Sequence, residues 1–405
     1  MGTFNGQLNA NEVFGSLFNM ILSMHVWAPE ISKVETLASK ARVDGGQYGD
    51  TKLYYSSNAL TSREWGGDSE AANLLALNRP AAPACQAIVL NRFRIISLTV
   101  DNYLSKRAFL GSDVFSKFNN SMIAWMSVTK DVYDETLINA FYGTDTGTGA
   151  KQNQTVTLPM QVSHYFDGTD ATNSDTDLEA TARLGAQTIA EKMANIITDL
   201  TKDIRNDYND NGFLRRYPKD RLQIIWNAKY VNKINKIDLP TIFHKDGVME
   251  DFKEILPSKY FGTVITASNV ATYSDSTPAA GKPIDSDTNA YTPGSNNANG
   301  TLRALEELEV TVSATTYHMF PGEELPSGAV IYTSATDNLY GKIYIEDAKV
   351  IAKVTVNGSV PFMSSFTTET NFFNPKSLTE NKYLIWSHNT LEHLKNYPFV
   401  TLKEA

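Results

Sequence analysis

The sequence predicts a mixed α+β fold in which two long helices anchor a chain otherwise made of short strands. Three observations carry this. Apolar residues recur every three or four positions over residues 112–143, a helical period. A second stripe of the same kind runs over residues 178–207. The last third of the chain reads as a series of short β segments between turn-rich connections.

The totals agree with a folded protein. The chain has 405 residues, 42% hydrophobic and 20% charged, enough to bury a sizeable core without disulfides. Cys85 is the single cysteine, so no internal bridge is possible and no oxidising export is demanded. The formal net charge is −9. That argues against a dedicated nucleic-acid binder, which carries an excess of Lys and Arg. It leaves room for a protein that encloses nucleic acid without gripping it. The first lysine is Lys33, so the basic start of a signal peptide is missing. The apolar run over 13–27 is interrupted by Ser16, Asn19, Ser23 and His25 and is too short to span a bilayer. Cytoplasm is the expected compartment, with no membrane partner.

In chain order, residues 1–42 read as an extended or helical arm with a polar start. Residues 43–104 hold a strand-like run at 51–57, a broad polar tip, and a longer strand pattern at 86–104. Part of that pattern alternates, with Phe93 and Ile95 on one face and Arg92 and Arg94 on the other. Two strands around a broad tip make a protruding hairpin, which is marginal in water unless it lies on something else.

Residues 105–220 hold both long helices. In the first, Ser112 or Asp113 caps, and Phe115, Phe118, Met122, Trp125, Met126, Val132, Leu137 and Phe141 form the stripe, with Gly143 as the stop. At the standard rise it is about 45 Å long, roughly three times the usual length. A polar stretch with a strand candidate at 155–162 follows. The second helix has capping-box spacing at Thr176 and Glu179. Its stripe is Leu184, Ile189, Met193, Ile196, Ile197, Leu200 and Ile204.

Residues 221–340 begin with a buried strand at 222–226, a helix at 229–237 and a strand at 262–266, a small α/β unit. An aperiodic polar run over 268–300 reads as an exposed loop. β segments follow at 303–315, 329–334, 342–356, 362–373 and 382–386, and 398–402 closes the last sheet. Residues 341–405 form the C-terminal strand region.

Motifs for chemistry are scarce. The run from Gly143 to Lys151 is glycine-rich but follows a helix, whereas a phosphate cradle follows a strand. Asp207, Asn209, Asn211 and Gly212 match half of a calcium loop, but Pro218 stands where the closing Glu belongs. A helix-ending turn is the better reading. The six histidines, among them His388 and His393, show no metal-pair spacing, and one cysteine cannot build a Cys/His zinc site. No catalytic residue, metal or cofactor is assigned, and an enzyme is the least favoured class. Arg215, Arg216, Lys219 and Arg221 form a basic cluster in an acidic chain. It is either a solvated loop or a partner contact in which Arg forks meet a neighbour's carboxylates.

The order of arm, two-stranded hairpin, spine helix, α/β unit and closing strands resembles the Hong Kong 97-type capsid fold of tailed phages. In that family these parts are the N-arm, the E-loop, the P-domain with its long helix, and the A-domain. Asn374-Pro375-Lys376, Tyr383, Trp386, Thr390-Leu391 and Asn396 resemble the closing segment of major capsid proteins from small, short-tailed phages of the phi29-like kind. The resemblance implies a structural protein that assembles with itself into pentamers and hexamers. The result is an icosahedral head around double-stranded DNA, built in a bacterial cytoplasm with scaffolding, portal and head-decoration proteins as partners. It implies inter-subunit contacts at Lys52, Leu53, Tyr54 and Tyr55 of the hairpin, and at Arg215, Arg216, Lys219 and Arg221. Two alternatives stay open: an encapsulin-like nanocompartment shell, and a β-rich surface-binding module using the loops at 143–176 and 268–300.

Overall fold

The computed structural model describes residues 37–43, 51–62, 64, 77, 79–101, 112–145, 152–158, 175–204, 207–235, 253–266, 301–329, 339–347 and 349–405. The expectations for most of the N-terminal arm, most of the hairpin tip, the loop at 268–300 and the strand at 329–334 lie outside the described residues.

The elements in chain order are α1 (Leu37–Ala41), β1 (Thr51–Ser56), β2 (Ala84–Asp101), α2 (Ser112–Gly143), β3 (Thr144–Asp145) and β4 (Asn153–Val156). Then come α3 (Asp175–Lys202), β5 (Leu222–Asn227), α4 (Ala228–Asn235), β6 (Lys253–Leu256) and β7 (Gly262–Val264). β8 (Leu302–Ala304), β9 (Leu308–Val312), β10 (Thr315–Met319), β11 (Ile343–Glu346), β12 (Val350–Val356), β13 (Ser364–Asn374), β14 (Thr379–Asn389) and β15 (Phe399–Glu404) complete the chain. The fold is α+β. It divides into two compact units, one of Met1–Lys52, Ile88–Ile138 and Pro361–Leu391, the other of Leu53–Ala87, Asn139–Val360 and Glu392–Ala405.

In the first unit β14 is the middle strand, antiparallel to β2 on one side and to β13 on the other. The helix α2 spans the bounds its sequence period predicts. Its buried positions include Met126, Lys130, Tyr133, Asp134, Leu137 and Ile138, steps of four, three and one that fit a single helical face. Trp125 is only half-buried and Val132 is exposed, which corrects the predicted stripe. Val132 sits six residues past Met126, about 120° off that face at 3.6 residues per turn. Tyr133 meets β14 edge-on through Trp386, ring centres 5.8 Å apart. The end of α1 and the residues after it are tied to the chain just before β13: Phe362 N donates to Ala41 O at 3.0 Å and Val43 N to Phe362 O at 2.9 Å.

In the second unit one sheet runs β4-β15-β12-β5-β6. Every residue of β5 and β12 is buried, the polar Gln223, Asn227, Lys353 and Thr355 among them. β5 and β6 are parallel, joined by a segment that contains α4. The parallel partner of β5 is therefore Lys253–Leu256, a strand the sequence reading missed. β7, the strand expected in that role, belongs to a second sheet, β3-β7-β11-β8. The expected segments 303–315 and 342–356 each split into two strands, β8 with β9 and β11 with β12. β10, starting at Thr315, is new. The β9–β10 hairpin turns through Ser313 and Ala314 at φ 48° and 67°, the left-handed pair of a tight type I′ turn.

Helix α3 packs on the first of these sheets through Ile189, Met193, Ile196, Ile197 and Leu200. Leu184 and Ile204, both assigned to the stripe, are exposed. Leu184 lies about 140° around the helix from Ile189, and Ile204 falls beyond the helix end at Lys202. The helix starts at Asp175, so Thr176 is inside it, not its cap.

Candidate functional site

The most informative surface lies on the first unit. Along β2 the burial alternates. Arg92 and Arg94 take the inner side, with the Arg94 guanidinium 5.7 Å from the centre of the Tyr133 ring. Phe93 and Ile95 take the outer side and are 42% and 59% exposed. Register extends this outer face across the sheet. Ile95 pairs with Ile385, and Ile385 with Thr368. Thr99 pairs with Asn381, and Asn381 with Phe372, which is 62% exposed. Directly paired residues share a face. Phe93, Ile95, Ile385, Tyr383 and Phe372 therefore stand together on the outward side. A sheet normally turns such residues inward, and an open apolar patch marks a surface that another body covers.

Behind the sheet the contacts are polar and closed. Lys130 Nζ donates to Asp134 at 2.7 Å and to Ser364 Oγ at 3.0 Å, with Arg42 3.6 Å from the same carboxylate. Burial pushes the Asp134 carboxyl upward, and the Lys130 charge opposes it. Tyr133 and His388 meet at 2.9 Å. Composition gave no sign of this network, although Lys130 and Asp134 have the readable i,i+4 spacing of a helical ion pair.

The hairpin residues expected to make contacts divide by face. Leu53 and Tyr55 point outward, 51% and 68% exposed. Lys52 and Tyr54 take the opposite, half-buried side, and burial raises the Tyr54 hydroxyl above its usual value. Strand alternation thus puts Leu53 and Tyr55 on one face and Tyr54 on the other. Tyr54 and Tyr55, with Cys85, Gln86, Asn211 and Tyr397, help line a cavity of about 230 Å³.

The basic cluster divides too. Arg215 reaches back to its own chain and donates to Ser57 O at 2.7 Å, while Leu214 N donates to Asn58 Oδ1 at 2.9 Å. These bonds hold the chain just past the end of β1, where the hairpin tip begins. Arg216, Lys219 and Arg221 are exposed. Upstream, the half calcium-loop is a turn: the Asn209 amide both accepts from Phe213 N and donates to Phe213 O, each at 2.8 Å. Gly212 takes φ 64° there.

One buried cation was not foreseen. Lys353 on β12 is fully buried, donates to the Thr144 carbonyl, and lies 3.9 Å from the centre of the Phe399 ring. Burial pushes its ammonium down to about 7, with the Asp145 carboxylate pulling the other way. Lys403 bridges Asp145 at 3.5 Å and Asp347 at 3.6 Å. The group is enclosed by protein. Among the described residues no helix is long and apolar enough to cross a membrane.

No protein-family model matches the sequence, and no curated protein matches it. Solved structures do. A chain from the capsid structure of Staphylococcus phage Andhra aligns over 90% of this chain and 83% of its own length, at 11% identity and a TM-score of 0.53. A chain from the structure of the head fiber and inner core protein gp22 of native bacteriophage P68 aligns over the same shares, at 10% identity and a TM-score of 0.52. At such identities the likeness is one of fold.

Proposed function

We propose that this chain is the major capsid protein of a small tailed phage. It assembles with itself as pentamers and hexamers into an icosahedral head around double-stranded DNA. One conjunction supports the reading: a fold shared over 90% of the chain with a chain of a phage capsid, on a subunit whose long sheet leaves its outward apolar face open. A shell repeats one subunit in closed rings, so each copy needs faces that only a neighbour covers.

In this reading α2 is the spine helix of the P-domain, β1 and β2 carry the E-loop, and residues 1–42 are the N-arm. Residues 221–340 are the A-domain and 341–405 return strands to both. Scaffolding, portal and decoration proteins are the further partners, and the virion is the location. The net charge of −9 suits a container, since packed DNA should not be held tightly by its wall. The kinship with short-tailed phages rests on the closing segment around Asn374-Pro375-Lys376.

The test is assembly of the purified full chain, supplied with a scaffold protein if it needs one. Negative-stain microscopy and light scattering should find closed shells or five- and six-fold rings. A clean monomer under all these conditions would overturn the reading.

A further inference from the structure

We propose that Arg216, Lys219 and Arg221 of one subunit dock on the glutamates in and flanking the β9–β10 hairpin of a second copy of this chain. The inference rests on the shell reading and names one of its contacts.

The cations are presented on a rigid base. Tyr217, between them, is buried, and its backbone N donates to Leu200 O at 3.0 Å. Lys219–Arg221 form a single tight helical turn that runs into the fully buried β5. Arg221 O accepts from Asn357 N at 2.7 Å. The side chains nevertheless project. All three are exposed, and among the described residues no hydrogen bond or ion pair engages them. Arg215, the fourth member, is already bonded to Ser57. A charge held on a fixed backbone loses less freedom on binding than one on a loose loop.

The complementary surface is on the same chain. Residues 306–324 hold Glu306, Glu307, Glu309, Glu323 and Glu324 and no Lys or Arg. Glu309, Glu323 and Glu324 are exposed. Their backbone is fixed as well, by the β9–β10 ladder and by the bond from Phe320 N to Glu323 Oε2 at 2.9 Å. Glu309 sits 3.1 Å from His318 Nδ1. Phe320 is exposed at the turn where its backbone N meets Glu323, and an arginine can stack on such a ring while its fork meets a carboxylate. Counting His as neutral, 215–221 carries four cations against Asp220, a net of +3, and 306–324 carries −5.

Identical subunits make this arrangement productive. A head-to-tail contact between two different patches closes when the copies form a ring. Every copy then gives its cations to the next and receives cations from the one before. Duplex DNA is the competing polyanion. It fits less well, because Asp220 interrupts the cluster and DNA-binding surfaces carry a wider basic field.

The experiment is a charge swap in the full chain, under the conditions in which wild type assembles. One variant carries Arg216→Glu, Lys219→Glu and Arg221→Glu. A second carries Glu309→Lys, Glu323→Lys and Glu324→Lys. A third combines all six. Sedimentation counts particles, nuclease protection counts enclosed DNA, and circular dichroism follows the fold. Each triple reversal should cut particle yield more than about tenfold, since like charges across a contact cost several kcal/mol. Melting should stay unchanged in the first variant and fall only slightly in the second, which loses the Phe320–Glu323 bond, and the combined variant should recover most of the particles. Should a reversal unfold the chain, the neutral set Arg216→Gln, Lys219→Gln and Arg221→Gln takes its place, with yield falling and its salt dependence weakening. Normal yield in a folded triple variant overturns the contact. So does a loss that the combined variant does not restore. Normal particles that have lost DNA would assign the cations to nucleic acid instead. Wild type that stays monomeric overturns the shell reading, and this contact with it.

Discussion

The Tyr133 hydroxyl on α2 stands 2.9 Å from Nε2 of His388 on β14. Nδ1 of the same ring faces the Asn389 carbonyl at 3.0 Å. A carbonyl only accepts, so Nδ1 carries the proton and Nε2 accepts from Tyr133. A second proton, on Nε2, would reverse that bond, with the Tyr133 oxygen accepting. Burial pushes the imidazole down to about 4; the Asn389 bond opposes this, and the Arg94, Arg92 and Lys130 charges reinforce it.

This fixes a pH dependence. Unfolded, the ring titrates near 6.5. Between about 4 and 6.5 the unfolded chain holds a proton that the folded chain refuses, so stability falls as pH drops through that window. The loss is about 3 kcal/mol at most. His388→Gln keeps a donor and an acceptor but cannot titrate, so it should flatten this part of the acid limb. A nuclear magnetic resonance titration that put His388 near 6.5 would refute the assignment.

Lys353 gives the opposite end of the pH scale. Its folded value near 7 lies below the ordinary 10.5. From about 7 to 10.5 the unfolded chain binds the extra proton, and stability therefore rises with pH, by about 5 kcal/mol at most. Lys353→Met removes the buried charge at similar volume, which is commonly neutral or stabilising. At pH 7 the variant should melt no lower than wild type, and its alkaline rise should vanish. A clear destabilisation at every pH would mean that the bond to Thr144 outweighs desolvation.

Gly143 ends α2 against the backbone of Tyr260. A Cβ built there would lie 2.1 Å from the Tyr260 carbonyl oxygen, closer than atoms can approach. Helix propensity alone favours Ala over Gly by about 1 kcal/mol. Overpacking a close contact costs about 1–3 kcal/mol, so Gly143→Ala should destabilise. Chemical denaturation decides the sign.

The face of α2 can be tested by truncation. Met126→Ala should cost about 2–5 kcal/mol as a buried large-to-small change. Trp125→Ala should cost less, despite the larger side chain, because Trp125 is half-exposed. Equal or reversed losses in thermal melts would place the wrong face inward.

Long helices and buried strands were legible because their periods are strong: α2 and β5 fall almost where the sequence puts them. Short strands were not. β6 has four residues, too few for a period, and its pairing with β5 depends on a parallel partner far along the chain. The split at residues 305–307 between β8 and β9 has no Gly or Pro to announce it. For the candidate surface, alternation along β2 was readable, but not which side faces out. An apolar Phe93/Ile95 side would ordinarily be placed inward. The structure turns it out because α2 supplies Tyr133 to the arginine side.

That inversion yields the last prediction. A monomer has no use for Phe93, Ile95 and Phe372 on an open sheet face, whereas a shell subunit does. Burying one such side chain fully at an interface is worth about 1.5–3 kcal/mol, and the gain repeats at every copy. Ile95→Ser with Phe372→Ser removes apolar surface that the isolated chain leaves exposed. The folded subunit should therefore melt within about 0.5 kcal/mol of wild type, as exposed substitutions usually do. Assembly should fall sharply, because each lattice contact is weakened together. Sedimentation reads the particles and circular dichroism reads the fold. Should the variant lose its fold, the face is buried within the subunit. Should it stay folded and still form shells in full yield, the outward sheet is not a contact, and the apolar face needs another explanation.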